Sequence, residues 1–242
     1  MLDRQKVLVV VPAFNEELSV GKVVRDIVSL GLDVLVIDDG SEDRTSDAAR
    51  SSGAIVAKFP INVGVGGALR CGFRYAQMNN YEIVVQCDAD GQHPVWQIPA
   101  LLEKMQSDDL DMVIGSRFKS STNTLVPNRF RRLMMKVLSY FASRATGVSL
   151  SDVTSGFRAI RQPLVNQFAE SFPEYYLGDT YEVVVAAGHA GYHVDEIGVP
   201  MVPRGHGSST ASVSHAVSRL LKAFAISHSG LQRKYVSKRS NL

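Results

Sequence analysis

Three apolar, β-branched runs, each breaking into an acid-bearing loop, set the tightest limit on how this 242-residue chain can fold. Val7–Val11 leads into Pro12-Ala13-Phe14-Asn15-Glu16-Glu17, and Val34–Ile37 leads into Asp38-Asp39-Gly40-Ser41. A third run, over 82–87, leads into Asp88-Ala89-Asp90-Gly91-Gln92-His93-Pro94. Runs of this length and composition read as buried strands. Helical patterns separate them. Val20, Val23, Val24, Ile27 and Val28 recur at helical spacing behind Ser19, an available N-cap. Further helices are expected near 43–52, over 65–79 and from Pro94 to Met105, the last opening with proline. Short strands are expected over 54–58 and 111–115. Alternation of this kind predicts an α/β fold built on a parallel sheet, and such sheets bind ligands beyond the carboxyl ends of their strands.

Asp88 and Asp90 are two apart, so in extended chain they point to the same side and can converge beyond the strand end. Two carboxylates there repel unless a cation lies between them. Hard divalent ions are held by one or two carboxylates together with substrate phosphate oxygens. The pattern therefore points to a nucleoside diphosphate carried on a metal ion.

Composition bounds the alternatives. An apolar fraction of 45% supports a proper core, and a net charge of +2 gives no global electrostatic case for nucleic acid. Cys71 and Cys87 read as free thiols in a reducing compartment. Met1–Lys6 lacks a signal-peptide hydrophobic region, and the apolar runs are far short of a membrane span. The glycines of Gly64-Val65-Gly66-Gly67 follow the wrong strand and spacing for a dinucleotide fingerprint.

The motifs P-A-F-N-E-E, V-I-D-D-G-S-E-D-R-T, N-V-G-V-G-G-A-L-R-C-G, D-A-D-G-Q-H-P, G-S-R-F and D-V-T-S-G-F-R-A-I follow in order from Pro12 to Ile160. In this combination, and over roughly residues 5 to 210, the chain resembles family 2 inverting glycosyltransferases of the dolichol- or polyprenyl-phosphate mannosyltransferase type. The resemblance implies a GT-A-like fold, with a Rossmann-like, mostly parallel sheet flanked by helices. It also implies a single domain over 1–242. Residues 1–118 would form the nucleotide-sugar-binding half and 119–210 the acceptor-binding half, with an amphipathic helix and basic tail over 211–242.

Roles follow from that resemblance. Pro12, Ala13, Phe14 and Glu16 would lie at the base and ribose, with Asp39 reading the nucleoside and Ile37 packing beneath it. Asn15 serves equally well as a helix cap, and Asp38 as buried scaffolding. Gly67 would let its helix pack near the donor, although close packing without ligand contact explains it as well. Asp88, Ala89 and Asp90 would contact the donor, and Asp88, Asp90 and Gln92 would hold Mg²⁺ or Mn²⁺. Arg117 stands where a bidentate contact to phosphate is expected. The catalytic candidates are Asp88, Arg117, Arg131, Asp152 and Arg204. Arg204 would act from a glycine-flanked loop that closes on the diphosphate. Gly207-Ser208-Ser209-Thr210 stands where many relatives carry Gly-x-Ser-Lys, which leaves the donor open. Glu182 matches an acidic position of the family and would equally suit a helix surface.

Asp152 divides two chemistries. A lipid phosphate needs no deprotonation to attack a sugar C1, so Asp152 would position; a saccharide hydroxyl would need a base such as Asp152 or Asp179. Arg129, Arg131, Arg132 and Lys136 precede or flank an apolar helix face at Leu133, Met134, Val137, Leu138 and Phe141. That pattern suits an interfacial helix and a core-facing one alike. The expected partners are a nucleotide-sugar donor, a polyprenyl phosphate acceptor, and a membrane surface or small membrane protein. Nucleic acid is not among them, and a homo-oligomer is compatible. The expected location is cytoplasmic, peripheral on the inner face of the membrane, aided by the tail cations Arg233, Lys234, Lys238 and Arg239.

Overall fold

The computed structural model describes residues 6–119, 129–173 and 178–200, with side chains at all of these except 129–132, 178 and 179. Seven strands form one sheet in the order β3-β2-β1-β4-β6-β5-β7. They are β1 (Val7–Ala13), β2 (Asp33–Asp38), β3 (Ile55–Lys58), β4 (Ile83–Gln86), β5 (Met112–Ser116), β6 (Arg158–Arg161) and β7 (Val194–Gly198). The intervening helices are α1 (Val20–Ser29), α2 (Thr45–Ser51), α3 (Val65–Met78), α4 (Ile98–Ser107), α5 (Arg129–Thr146), α6 (Leu164–Ser171) and α7 (Val183–His189).

The apolar runs show why the sheet is sandwiched. Alternate residues of β1 enter two different cores, Val7, Val9 and Val11 on one face and Leu8 and Val10 on the other. The first face is covered by α1 and α4, with α2 contributing Ala49, and the second by α3, α5, α6 and α7. A parallel strand buried on both sides has no solvent face, which is why its sequence shows no polar alternation.

The sheet is mostly parallel, as expected, but β6 runs antiparallel to both neighbours, pairing with β4 and with β5. This reversal matters for the site. Arg158 pairs with Gln86 on one side and Ile114 on the other, so the chain entering β6 arrives at the carboxyl ends of β4 and β5. The Thr154-Ser155-Gly156-Phe157 turn is thereby delivered beside the acidic loop.

Two local expectations are corrected. Ser19 occupies the N-cap position of α1, but its hydroxyl donates to Glu16, to the carbonyl at 3.3 Å and to Oε2 at 2.5 Å, and caps nothing. Pro94 does not open a helix. Its ψ of 89° is extended, a 3₁₀ turn at Val95–Gln97 follows, and α4 starts only at Ile98, with Pro99 in its first turn. Residues 120–128, Arg204 and the 211–242 segment lie outside the described residues.

Candidate active site

The ends of β1 and β2 are laced together by their loops. Asn15, at φ 55°, donates its backbone N–H to Ser41 Oγ at 2.9 Å, and its Oδ1 accepts the Glu42 N–H at 3.0 Å. Asn15 therefore ties the two loops and does not cap α1. The Glu16 N–H donates to Thr45 Oγ1 at 2.8 Å, and Phe14 stands exposed beside this seam. Ile37 is buried beneath, as is Ala13, while Pro12 is half-buried.

Asp38 is scaffolding. It is fully buried, accepts the Ser41 N–H at 2.8 Å and the Ser46 hydroxyl, and lies 3.7 Å from Lys58 Nζ. Burial alone would raise its pKa, but those bonds and Lys58 outweigh it and hold the carboxyl below its ordinary range. Asp39 differs in direction. Its two oxygens each accept one backbone N–H at 2.8 Å, from Val63 and from Gly64, pinning the loop before α3 against the end of β2. Gly40 makes that approach feasible: its φ is +79°, and a Cβ there would lie 2.6 Å from the Ile61 carbonyl carbon. A Cβ on Gly67 would meet Val63 Cγ2 at 2.8 Å, so this glycine serves close packing of α3 on the same loop.

The acidic loop beyond β4 presents one exposed and one sheltered carboxylate. The Asp88 side chain is 42% exposed, whereas Asp90 is buried and accepts the Gln92 N–H at 2.9 Å across Gly91, whose φ is +75°. Ala89 between them is buried. The Cys87 thiol is buried behind the loop, and burial, then the charges of Asp88 and Asp90, push its pKa well up, so it stays a neutral free thiol. The Asp88 and Asp90 carboxylates and the Gln92 amide would offer a metal oxygen ligands, chemistry that suits Mg²⁺ or Mn²⁺ better than a soft ion.

Arg117 and Asp152, 35 residues apart, are clasped to each other. Arg117 Nε and Nη2 donate to the two Asp152 oxygens at 2.7 Å each, and the Arg117 backbone N–H adds a third bond at 2.9 Å. Nη2 also reaches Thr154 Oγ1 at 2.7 Å. Asp152 is wholly buried while the Arg117 side chain is 20% exposed. Behind this pair, Glu196 of β7 accepts the Ser151 and Asp152 N–H groups at 2.9 and 3.1 Å and the Ser151 hydroxyl at 2.7 Å. Arg158, also buried, donates to the carbonyls of Ser155, Val153 and Thr180, which fixes the turn before β6. Glu182 is buried at the start of α7, so it is no surface carboxylate.

Sequence reasoning thus placed Pro12–Glu16, Ile37, Asp39, Asp88–Gln92, Arg117 and Asp152 on loops or strand ends that share one edge of the sheet. It left His93 and Glu196 without roles. His93 lies inside the D-A-D-G-Q-H-P motif, and Glu196 lies beyond the motifs that end at Ile160. The Arg131 and Asp179 side chains and all of Arg204 lie outside the described residues. On α5, Leu138 and Ala142 are core while Leu133, Lys136 and Tyr140 are exposed, so the helix has both a packed face and an open one.

Comparison with known proteins agrees with this arrangement. A family model described as Glycosyl transferase family 2 matches residues 8–168. An undecaprenyl-phosphate mannosyltransferase of Micrococcus luteus is 31% identical over 217 residues, 86% of this chain and 88% of that protein. A polyprenol monophosphomannose synthase of Mycolicibacterium smegmatis is 28% identical over 232 residues, covering 90% and 85%. In fold, the chain is similar to glucosyl-3-phosphoglycerate synthase of Mycobacterium tuberculosis, crystallised with Mn²⁺, UDP and glucosyl-3-phosphoglycerate. The TM-score is 0.63 at 22% identity, covering 93% of this chain and 80% of that one.

Proposed function

This chain belongs to glycosyl transferase family 2, and on that premise we propose that it moves a hexose from a nucleoside diphosphate to a polyprenyl phosphate, with inversion. GDP-mannose is the first donor expected, given the mannosyltransferase names of its relatives, and UDP-glucose the second. The observation that carries the acceptor assignment is the Arg117–Asp152 clasp. A wholly buried carboxylate whose two oxygens are both taken by a guanidinium is badly placed to remove a proton. A phosphate acceptor asks for no such base.

In this reading Asp88, Asp90 and Gln92 hold Mg²⁺ or Mn²⁺, which when bound offsets the charge of the departing diphosphate. Phe14, Glu16 and Asp39 bracket the nucleoside. Arg117, held rigid by Asp152, supplies fixed positive charge at the strand ends for the acceptor phosphate, and Arg131 is assigned to the same task by the resemblance alone. Arg204 closes on the leaving group. The lipid phosphate attacks C1 from the face opposite the diphosphate, which gives inversion.

Among the described residues no helix is long and apolar enough to cross a membrane. A lipid substrate then calls for peripheral contact at the inner, cytoplasmic face, and exposed Leu133 and Tyr140 on α5 offer an apolar footing beside its basic start. Flotation with anionic liposomes tests that contact.

The test of function is transfer of radiolabel from GDP-mannose or UDP-glucose, with Mg²⁺ or Mn²⁺, into an organic-extractable polyprenyl phosphate product. Label that moves only to saccharide acceptors would favour the hydroxyl-acceptor reading. A chain that binds donor but transfers to neither would be a non-catalytic binding module, a reading disfavoured by the retained D-x-D pair and Arg117.

A further inference from the structure

We propose that His93 is a positioning residue for Asp88, fixing the carboxylate through which the loop meets metal and donor; this rests on the reading of Asp88 given above. The ring is buried and grips Asp88 at two points. The Asp88 backbone N–H donates to His93 Nδ1 at 2.9 Å, so that nitrogen carries a lone pair and the ring proton sits on Nε2. Nε2 in turn lies 3.5 Å from Asp88 Oδ2, longer than a full hydrogen bond but with its N–H dipole favourable to the carboxylate.

The ring itself is not free to move. Its centroid is 5.2 Å from that of the fully buried Phe157, with the planes 31° apart. Gly156 lies alongside: a Cβ there would lie 3.5 Å from His93 Cε1, 3.5 Å from Asp88 Oδ1 and 3.3 Å from Gln86 Nε2, so the turn runs close to both side chains. The turn before β6 therefore seats the imidazole, and the imidazole seats Asp88. A carboxylate as exposed as Asp88 would otherwise sample several rotamers, and the backbone beneath it would lose its N–H partner.

The experiment measures Mn²⁺ binding with GDP or UDP present, by the loss of the free-ion electron paramagnetic resonance signal, for His93→Ala, His93→Asn and His93→Leu. Circular dichroism confirms that each is folded. Outer-shell partners of metal ligands typically contribute 10–100-fold to affinity, so His93→Ala should raise the apparent Kd by roughly 10–100-fold. His93→Asn places an amide oxygen near the Nδ1 position and should recover affinity to within several-fold of wild type. His93→Leu fills the space against Phe157 without an acceptor and should bind as poorly as His93→Ala. Equal binding by all variants, or recovery by Leu and not by Asn, would overturn the proposal. The underlying site reading fails separately, if wild type and Asp88→Asn bind the metal–nucleotide pair alike.

Discussion

Replacing Asp152 by asparagine separates structure from chemistry at one position. The wild-type carboxylate accepts three bonds from Arg117 and is wholly buried. Asparagine keeps one acceptor oxygen and turns an NH₂ group toward a guanidinium N–H, so two donors face each other. Breaking a buried ion pair from one side costs about 3–5 kcal/mol. Arg117 is one-fifth exposed and can relax partly into water, which brings the expected loss below that range, to about 2–3 kcal/mol. Urea unfolding followed by circular dichroism reads this directly. Turnover onto polyprenyl phosphate should fall only by the loss of one positioning contact, about 1–3 kcal/mol, or roughly 5- to 150-fold. A base would behave differently: its removal would cost on the order of 10²–10⁴ in rate and erase the acidic limb of the pH–rate profile. Asp179→Asn must be measured alongside. Unchanged stability would refute the assignment of the clasp as structural. Loss of the acidic limb in either variant, with fold and donor binding intact, would refute transfer without a base.

Asp90→Asn should preserve the fold and abolish transfer, because an amide cannot supply the charge that holds the ion; near-normal activity in chelator-treated wild type would contradict this. Gly72→Ala in α3 would gain up to about 1 kcal/mol of helix propensity but place a Cβ 2.4 Å from Val10 Cγ1, an overpacking worth about 1–3 kcal/mol. The net should be destabilising, and a double-mutant cycle with Val10→Ala should show a coupling that strictly additive values would disprove. Asp38, depressed on folding, contributes stability above its unfolded pKa that is lost as pH falls through its lower folded value. Ser46→Ala should therefore destabilise the protein more at pH 7 than at pH 3, and an equal loss at both would count against the bond.

Much of this was legible because it is local. The β-branched runs of β1, β2 and β4 and the helical spacing of α1 and α3 each declare themselves within ten or so residues. Asp88 and Asp90 suggest a cation site by their spacing alone. What stayed hidden depends on distant partners. Arg117 read as a bidentate phosphate ligand because nothing near it in sequence shows Asp152 taking its Nε and Nη2 donors. The antiparallel entry of β6 between β4 and β5 is a pairing choice that four residues, Arg158–Arg161, do not specify. His93 looked like part of a turn until Phe157 and Gly156 were seen against it. Ser19 had the right identity for a cap, but Glu16 competes for its hydroxyl.

The place of β6 also has a consequence for biosynthesis. A ribosome delivers residues at about 5–20 per second, so β1 to β5 emerge well before the strand that belongs between β4 and β5. Until Arg158–Ile160 arrive, β4 keeps one unpaired ladder, and β5, whose partners β6 and β7 both come later, has no place in the sheet. These exposed strand edges must stay clear of self-association until then. The turn that packs Phe157 against His93 comes with the same late strand, so the acidic loop gains that support only at this stage.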